Sequence, residues 1–124
     1  MMGLSKFISG ASLIACLIFS TQANAQCENV LDSARFEKLL VEVQKHDFDD
    51  GKLQSIEQVG NGSCYQVEQV IQLLGQFSFE EDRISLIKVL WTRIKDKSRL
   101  EEILAVFEFE SSKKEVRKFI AEFK

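Results

Sequence analysis

Three kinds of residue in this chain could do chemistry: a cysteine pair, a lone histidine, and short runs of carboxylates that recur along the sequence. Of the three cysteines, Cys16 falls in an apolar N-terminal run, which leaves Cys27 and Cys64 as an even pair. In an oxidising compartment such a pair forms a disulfide, and closing a loop of this length stabilises a fold by about 3–4 kcal/mol. A redox-active or metal-binding thiol pair would need close spacing, as in Cys-x-x-Cys, and Cys27 and Cys64 lack it. They are expected to be a structural staple.

His46 is the single histidine. No Gly-x-Ser-x-Gly elbow, His-Glu-x-x-His pair or phosphate-binding glycine loop accompanies it, and oxidised thiols would offer it no Cys–His dyad. It aligns with Phe77 and Phe107 of later segments, which predicts a partly buried turn residue. Asp47-Phe48-Asp49-Asp50-Gly51 invites comparison with a calcium loop. With Gly51 at the sixth loop position, Leu53 and Glu57 fall correctly. His46 and Phe48 then occupy positions that need oxygen ligands, so no EF-hand is assigned. The sequence gives no catalytic residue, no cofactor-binding residue and no metal ligand, and the expectation is a protein that is not an enzyme.

The carboxylate runs are the better candidate for a contact surface. Asp47, Asp49, Asp50, Glu80, Glu81, Asp82, Glu108 and Glu110 would lie along one edge if helical hairpins stack in parallel. Arg93, Lys95, Lys97 and Arg99 would then lie at the opposite end. An edge of that sign can attract a cationic partner or weakly held divalent ions and steer association. The same residues also suit helix starts on electrostatic grounds alone. An enzyme built from dispersed carboxylates is a further alternative, with Glu80, Glu81 and Asp82 the residues to inspect.

Positioning such an edge requires helices, and the chain is written for them. It contains no proline, so long helices meet no internal breaker of that kind. Apolar residues fall at helical spacing in four stripes: Phe36, Leu39, Leu40 and Val43; Val67, Val70, Ile71 and Leu74; Leu100, Ile103, Leu104 and Phe107; Val116, Phe119, Ile120 and Phe123. A broader apolar helix carries residues from Ile84 through Trp91 to Ile94, and a short one carries Leu53, Ile56 and Val59. Ser78-x-x-Glu81, Ser98-x-x-Glu101 and Ser112-x-x-Glu115 are spaced as capping boxes. Self-similarity at a period of about 30 residues aligns Phe48, Phe79 and Phe109, each next to acidic residues. The expected fold is all-α, a compact stack of three helical hairpins with about six helices. The phenylalanines are expected to fill its core, the alternative being a tip patch drawn from Phe77, Phe79, Phe107 and Phe109.

Several segments together resemble a known family: Phe36-x-x-Leu39-Leu40, Phe48-Asp49-Asp50-x-Lys52-Leu53, Gln66-Val67, Leu73-Leu74-x-x-Phe77-Ser78-Phe79-Glu80-x-x-Arg83-Ile84, and Phe107-x-Phe109-x-Ser111-Ser112. The chain is similar, over nearly all of residues 26–124, to the domain-of-unknown-function family numbered 4476 (DUF4476), which occurs mostly in secreted bacterial proteins. It departs from the family pattern Asp-x-x-Asn-Tyr, keeping Asp96 but continuing Lys97-Ser98-Arg99-Leu100, and the cysteine pair is not part of that pattern. The resemblance implies a compact helical domain and transfers no catalytic residue.

The N-terminus sets the address. Lys6, the apolar run Phe7 to Phe19 and Ala23-Asn24-Ala25 have the form of a secretory signal peptide over residues 1–25, leaving one domain over 26–124. Leu13-Ile14-Ala15-Cys16 also fits a lipobox, so a lipid anchor at Cys16 is the alternative. The run is short for a bilayer span, and no transmembrane helix is expected in the exported form. With a net charge of −3, the chain lacks the basic footprint of a nucleic-acid binder. Asn61-Gly62-Ser63 is formally a glycosylation acceptor but suits a plain turn. The sequence therefore predicts a secreted or periplasmic, non-catalytic module for a protein or peptide partner, without cofactor.

Overall fold

The computed structural model describes Cys27, residues 29–60 and residues 62–123. The expected leader over 1–25, the lipobox cysteine Cys16 and the acceptor Asn61 lie outside the described residues. The order is α1 (Ser33–Gln44), α2 (Asp49–Val59), α3 (Val67–Leu74), α4 (Glu80–Leu90), α5 (Leu100–Leu104) and α6 (Glu110–Glu122). Two 3-10 turns, Trp91–Arg93 and Lys97–Arg99, link α4 to α5. No strand occurs among the described residues, and the fold is all-α.

The stripes predicted from spacing become the core. Phe36, Leu39, Leu40 and Val43 are the buried face of α1, whose start is fixed by Asp32 accepting the Arg35 amide at 2.8 Å. α3 buries Val67, Val70, Leu73 and Leu74, and α4 buries Ile84, Leu86, Ile87 and Leu90. α1 packs on α2, the helices α2, α4 and α6 lie side by side, and α3 packs on α5. α6 is the least enclosed of the long helices: Val116 is buried, Phe119 and Ile120 are half-buried, and Phe123 is exposed.

The apolar run from Ile84 to Ile94 is not one helix. It stops at Leu90, and Trp91–Arg93 tightens into a 3-10 turn that delivers Ile94 to an extended pairing. Here a tertiary contact decides the backbone, because the local sequence contains no breaker. Val30 pairs with Cys64 and Tyr65 with Ile94, both in parallel. Leu31 N–H donates to Cys64 O at 2.9 Å and Cys64 N–H to Asn29 O at 2.9 Å, while Tyr65 N–H donates to Arg93 O and Lys95 N–H to Tyr65 O, each at 2.8 Å. The three segments that lead into α1, α3 and α5 are thereby tied at the end of the molecule away from the hairpin turns.

Two close approaches sharpen that end. The buried Tyr65 hydroxyl donates to Gly60 O at 3.3 Å and lies where a side chain on residue 60 would have to go. Gly62, with φ at +83°, occupies the left-handed region that favours glycine.

Candidate functional site

Three turns, between α1 and α2, α3 and α4, and α5 and α6, face the end opposite the bridges. α2, α4 and α6 start alike, on Phe48, Phe79 and Phe109 in extended conformation, with φ of −113°, −114° and −103°. None of these N-cap positions receives a side-chain bond of its own. The capping boxes expected at Ser78, Ser98 and Ser112 do not form. Ser98 donates instead to Asp96 Oδ1 at 2.6 Å, and Ser112 is buried inside α6.

The amides are satisfied from the neighbouring hairpin. Asp49, the first residue of α2, accepts Ser78 N–H at 3.1 Å and Phe79 N–H at 3.1 Å through its carboxylate. Glu80, the first residue of α4, accepts Glu108 N–H at 3.2 Å and Phe109 N–H at 3.3 Å. A helix-starting acid thus closes the next turn, about one hairpin further along the chain. Local motif reading misses this because the acceptor is distant in sequence. The only signal in the sequence is the acidic residue directly after each aligned phenylalanine.

These contacts settle the charge state of both acids. Burial pushes the Asp49 carboxyl up, but the Ser78 and Phe79 amides, the Asp82 carboxyl and the Lys52 charge outweigh it, so its pKa lies below the usual range. For Glu80, burial is likewise overcome by Ser112, the Glu108 and Phe109 amides and Arg83. Asp82 goes the other way, raised by burial, by its hydrogen bond to Asp49 and by the charges of Asp49, Asp50 and Glu81. Lys52 Nζ also donates to Gln76 O at 2.6 Å, and Arg83 donates to Phe77 O at 2.8 Å. Lys52 and Arg83 are therefore turned inward, whereas Lys45, at the first turn, is exposed and pairs with Glu42 at 2.7 Å.

The eight carboxylates expected on one edge divide into two groups. Asp49 is buried and Glu80 and Asp82 are half-buried within the links just described, while Asp47, Asp50, Glu81, Glu108 and Glu110 are exposed. Glu110 pairs with Lys113 at 3.2 Å; among the described residues Asp47, Asp50, Glu81 and Glu108 form no salt bridge. No group of three or more potential ligands is arranged to hold a metal ion among the described residues.

The aromatic residues divide as cleanly. Phe77 and Phe107 are buried and plug the ends of the core, whereas Phe48, Phe79 and Phe109 are 80%, 66% and 58% exposed. The core expectation fails for these three and for Phe123, because an aromatic at a helix start on the rim has no core beneath it. Phe48 is not among the tip candidates that the sequence suggests. His46, expected to be partly buried, is exposed, its ring standing over Gly51 at the outer end of the stack. Phe79 and Phe109 share a shallow depression of about 250 Å³ with Ser78, Glu80, Glu81, Arg83 and Glu108.

The basic residues at the opposite end serve internal contacts. Arg93 reaches Gly60 O at 3.3 Å, Lys97 lies 5.4 Å from the centre of the Trp91 ring, and Arg99 bridges Glu68 and Glu102 at 2.7 and 2.6 Å. Cys27 and Cys64 sit beside this end as neighbouring thiols. Burial, the hydrogen bond to Cys27 and the Cys27 charge push the Cys64 thiol up to about 11.

Neither curated proteins nor solved structures match the chain. One family model does match, spanning residues 30–120, from the first bridged residue into the last turn of α6 and excluding Cys27. With both bridges, all three turns and every helix but the end of α6 inside that span, the chain belongs to the family described as a domain of unknown function, DUF4476.

Proposed function

We propose that this is an exported, non-catalytic helical-repeat domain that binds a protein or peptide partner through the edge formed by its three turns. The observation that carries it is the division of labour there. One acid per junction is taken up in holding the hairpins together, while three aromatic rings and four carboxylates, Asp47, Asp50, Glu81 and Glu108, stay exposed without a salt bridge among the described residues. The matched helix starts and the repeated acid-to-amide link support three copies of one unit, and stacked units of this kind present extended surfaces to ligands. No cofactor takes part. Of Glu80, Glu81 and Asp82, the first residues to inspect for an enzyme, Glu80 and Asp82 are occupied by the junction contacts and Glu81 is exposed.

Export rests on the leader over residues 1–25, with secretion or a periplasmic location as its outcome and a lipid anchor at Cys16 as the variant. No helix among the described residues is long and apolar enough to cross a membrane. In that compartment Cys27 and Cys64, already side by side, would join as a disulfide. Mass spectrometry of the exported protein is expected to show Gln26 as the N-terminus and a mass two hydrogens below that of the dithiol; an intact leader would overturn export. For the edge, the test is capture of a partner from the exported fraction by wild type and by an Asp50→Lys, Glu81→Lys, Glu108→Lys variant. Wild type is expected to retain a partner that the variant loses, and equal retention would overturn the edge as the contact surface.

A further inference from the structure

The turn edge carries charge and aromatic rings at a fixed interval, and that interval specifies a partner. Asp49 bonds the Phe79 amide and Glu80 bonds the Phe109 amide, so successive phenylalanines are separated by one helix-to-helix step. Helices packed side by side lie roughly 8–10 Å apart. Phe48, Phe79 and Phe109 start their helices in the same backbone conformation and are all largely exposed. Asp47, Asp50, Glu81 and Glu108 flank these rings without a basic partner among the described residues, and Lys52 and Arg83 are turned inward onto backbone carbonyls.

A cationic side chain laid on a phenylalanine face gains from the ring quadrupole, and beside a carboxylate it gains again from charge. Arginine fits both contacts best, through its flat guanidinium. A polyproline helix advances about 3.1 Å per residue and returns every third side chain to the same face, so successive side chains on that face are roughly 9 Å apart. From this match, and resting on the edge as the contact surface, we infer that the partner is an extended basic segment with arginine at every third residue, one guanidinium for each phenylalanine. The depression between Phe79 and Phe109 is also lined by Arg83, which is paired with Glu80 at 3.2 Å, so Glu81 and Glu108 are the carboxylates left there to receive one such side chain. A glycan could stack on the same rings but would gain nothing from the unpaired negative charge.

The test titrates the full-length protein, as recovered from cells, with two peptides of identical composition. One repeats Arg-Pro-Pro four times, which places all arginines on one face of a polyproline helix; the other has four consecutive arginines followed by eight prolines. The periodic peptide is expected to bind at least about tenfold more tightly and to shift the amide resonances of Phe48, Phe79 and Phe109. A Phe48→Ala, Phe79→Ala, Phe109→Ala variant, with circular dichroism unchanged, is expected to lose that preference. Equal binding of the two peptides, or a preference that survives in the variant, overturns the inference. So does binding of an N-acetylglucosamine oligomer with neither peptide bound. Partner capture that depends on Asp50, Glu81 and Glu108 while neither peptide is preferred would likewise overturn the arginine spacing and leave the edge itself standing.

Discussion

The two ends of this helical stack are joined by different chemistry, and the difference explains why only one of them is open to a partner. At the bridge end, main chain meets main chain: residues 29–31, 64–65 and 93–95 exchange hydrogen bonds of 2.8–2.9 Å. At the turn end, each junction depends on one side-chain carboxylate reaching two amides of the next turn. Backbone pairing is indifferent to pH and to most side chains, and here it draws Tyr65 and Ile94 fully inside. A carboxylate link needs an acid at one position, responds to pH, and leaves the neighbouring side chains free. The exposed phenylalanines and acids are found at the end that is linked in this second way.

Breaking a turn junction should have the largest effect. Asp49→Ala removes the acceptor of the Ser78 and Phe79 amides and strands Lys52, with the Asp49 side chain only 4% exposed. Hydrogen bonds to a charged group contribute about 1.5–3 kcal/mol each, so a loss of about 3 kcal/mol is expected, lowering Tm by more than about 10 °C. Glu80→Ala should cost less, about 1–2 kcal/mol, because the Glu108 amide it releases belongs to an exposed turn residue that water can reach. Equal losses in thermal melts would contradict the comparison between the two junctions.

The bridge end is probed by shape. Gly60→Ala drives a methyl group into the hydroxyl of the fully buried Tyr65, at an expected cost of about 1–3 kcal/mol. Pairing it with Tyr65→Phe, which removes the offending oxygen together with its 3.3 Å bond to Gly60, should recover part of that loss. A double variant no more stable than Gly60→Ala alone would mean that the close approach at residue 60 is not what the glycine provides.

How much of this can be read in the sequence follows from range. The stripes in α1, α3 and α4 are legible because a helix face repeats locally, and Phe48, Phe79 and Phe109, which recur about 30 residues apart in the sequence, all precede the first residue of a helix. Three things are not legible. The capping expected from Ser78 and Ser112 is replaced by Asp49 and Glu80, carboxylates about 30 residues from the amides they accept, a contact that no local window contains. The end of α4 at Leu90 is set by Ile94 pairing with Tyr65, although Trp91 and Ile94 continue the apolar pattern. The eight acids look equivalent as letters, whereas burial separates Asp49 and Glu80, which hold the fold, from Asp50, Glu81 and Glu108, which face solvent.

Acid should separate the two ends. Asp49 and Glu80 have lowered pKa values in the fold, so their stabilisation is complete above the ordinary carboxylate range and is lost as pH falls through the lowered values. Asp82 is raised, so its contribution is present below its unfolded pKa and is lost as pH rises through its folded value. The amides of Phe79 and Phe109 should therefore lose hydrogen-exchange protection in acid before those of Tyr65 and Lys95. Asp82→Asn, which keeps a donor for Asp49 without a charge to repel it, should raise Tm at neutral pH. Uniform loss of protection at both ends would mean that the acid links are not the weaker joint.

The smallest expected effect on stability is also the one that separates function from fold. Phe79→Ser replaces a ring that is 66% exposed, so the change in stability should stay within about 0.5 kcal/mol. The neighbouring Phe77→Ser removes a ring that is 2% exposed and should cost about 3–5 kcal/mol, as large-to-small changes in a core do. Two phenylalanines two residues apart would then differ several-fold in stability cost, and only the cheaper substitution should weaken partner binding while the protein stays folded. If Phe79→Ser destabilised the protein as Phe77→Ser does, the ring would belong to the core, and the turn edge would lose the aromatic residues that distinguish it from an ordinary solvated rim.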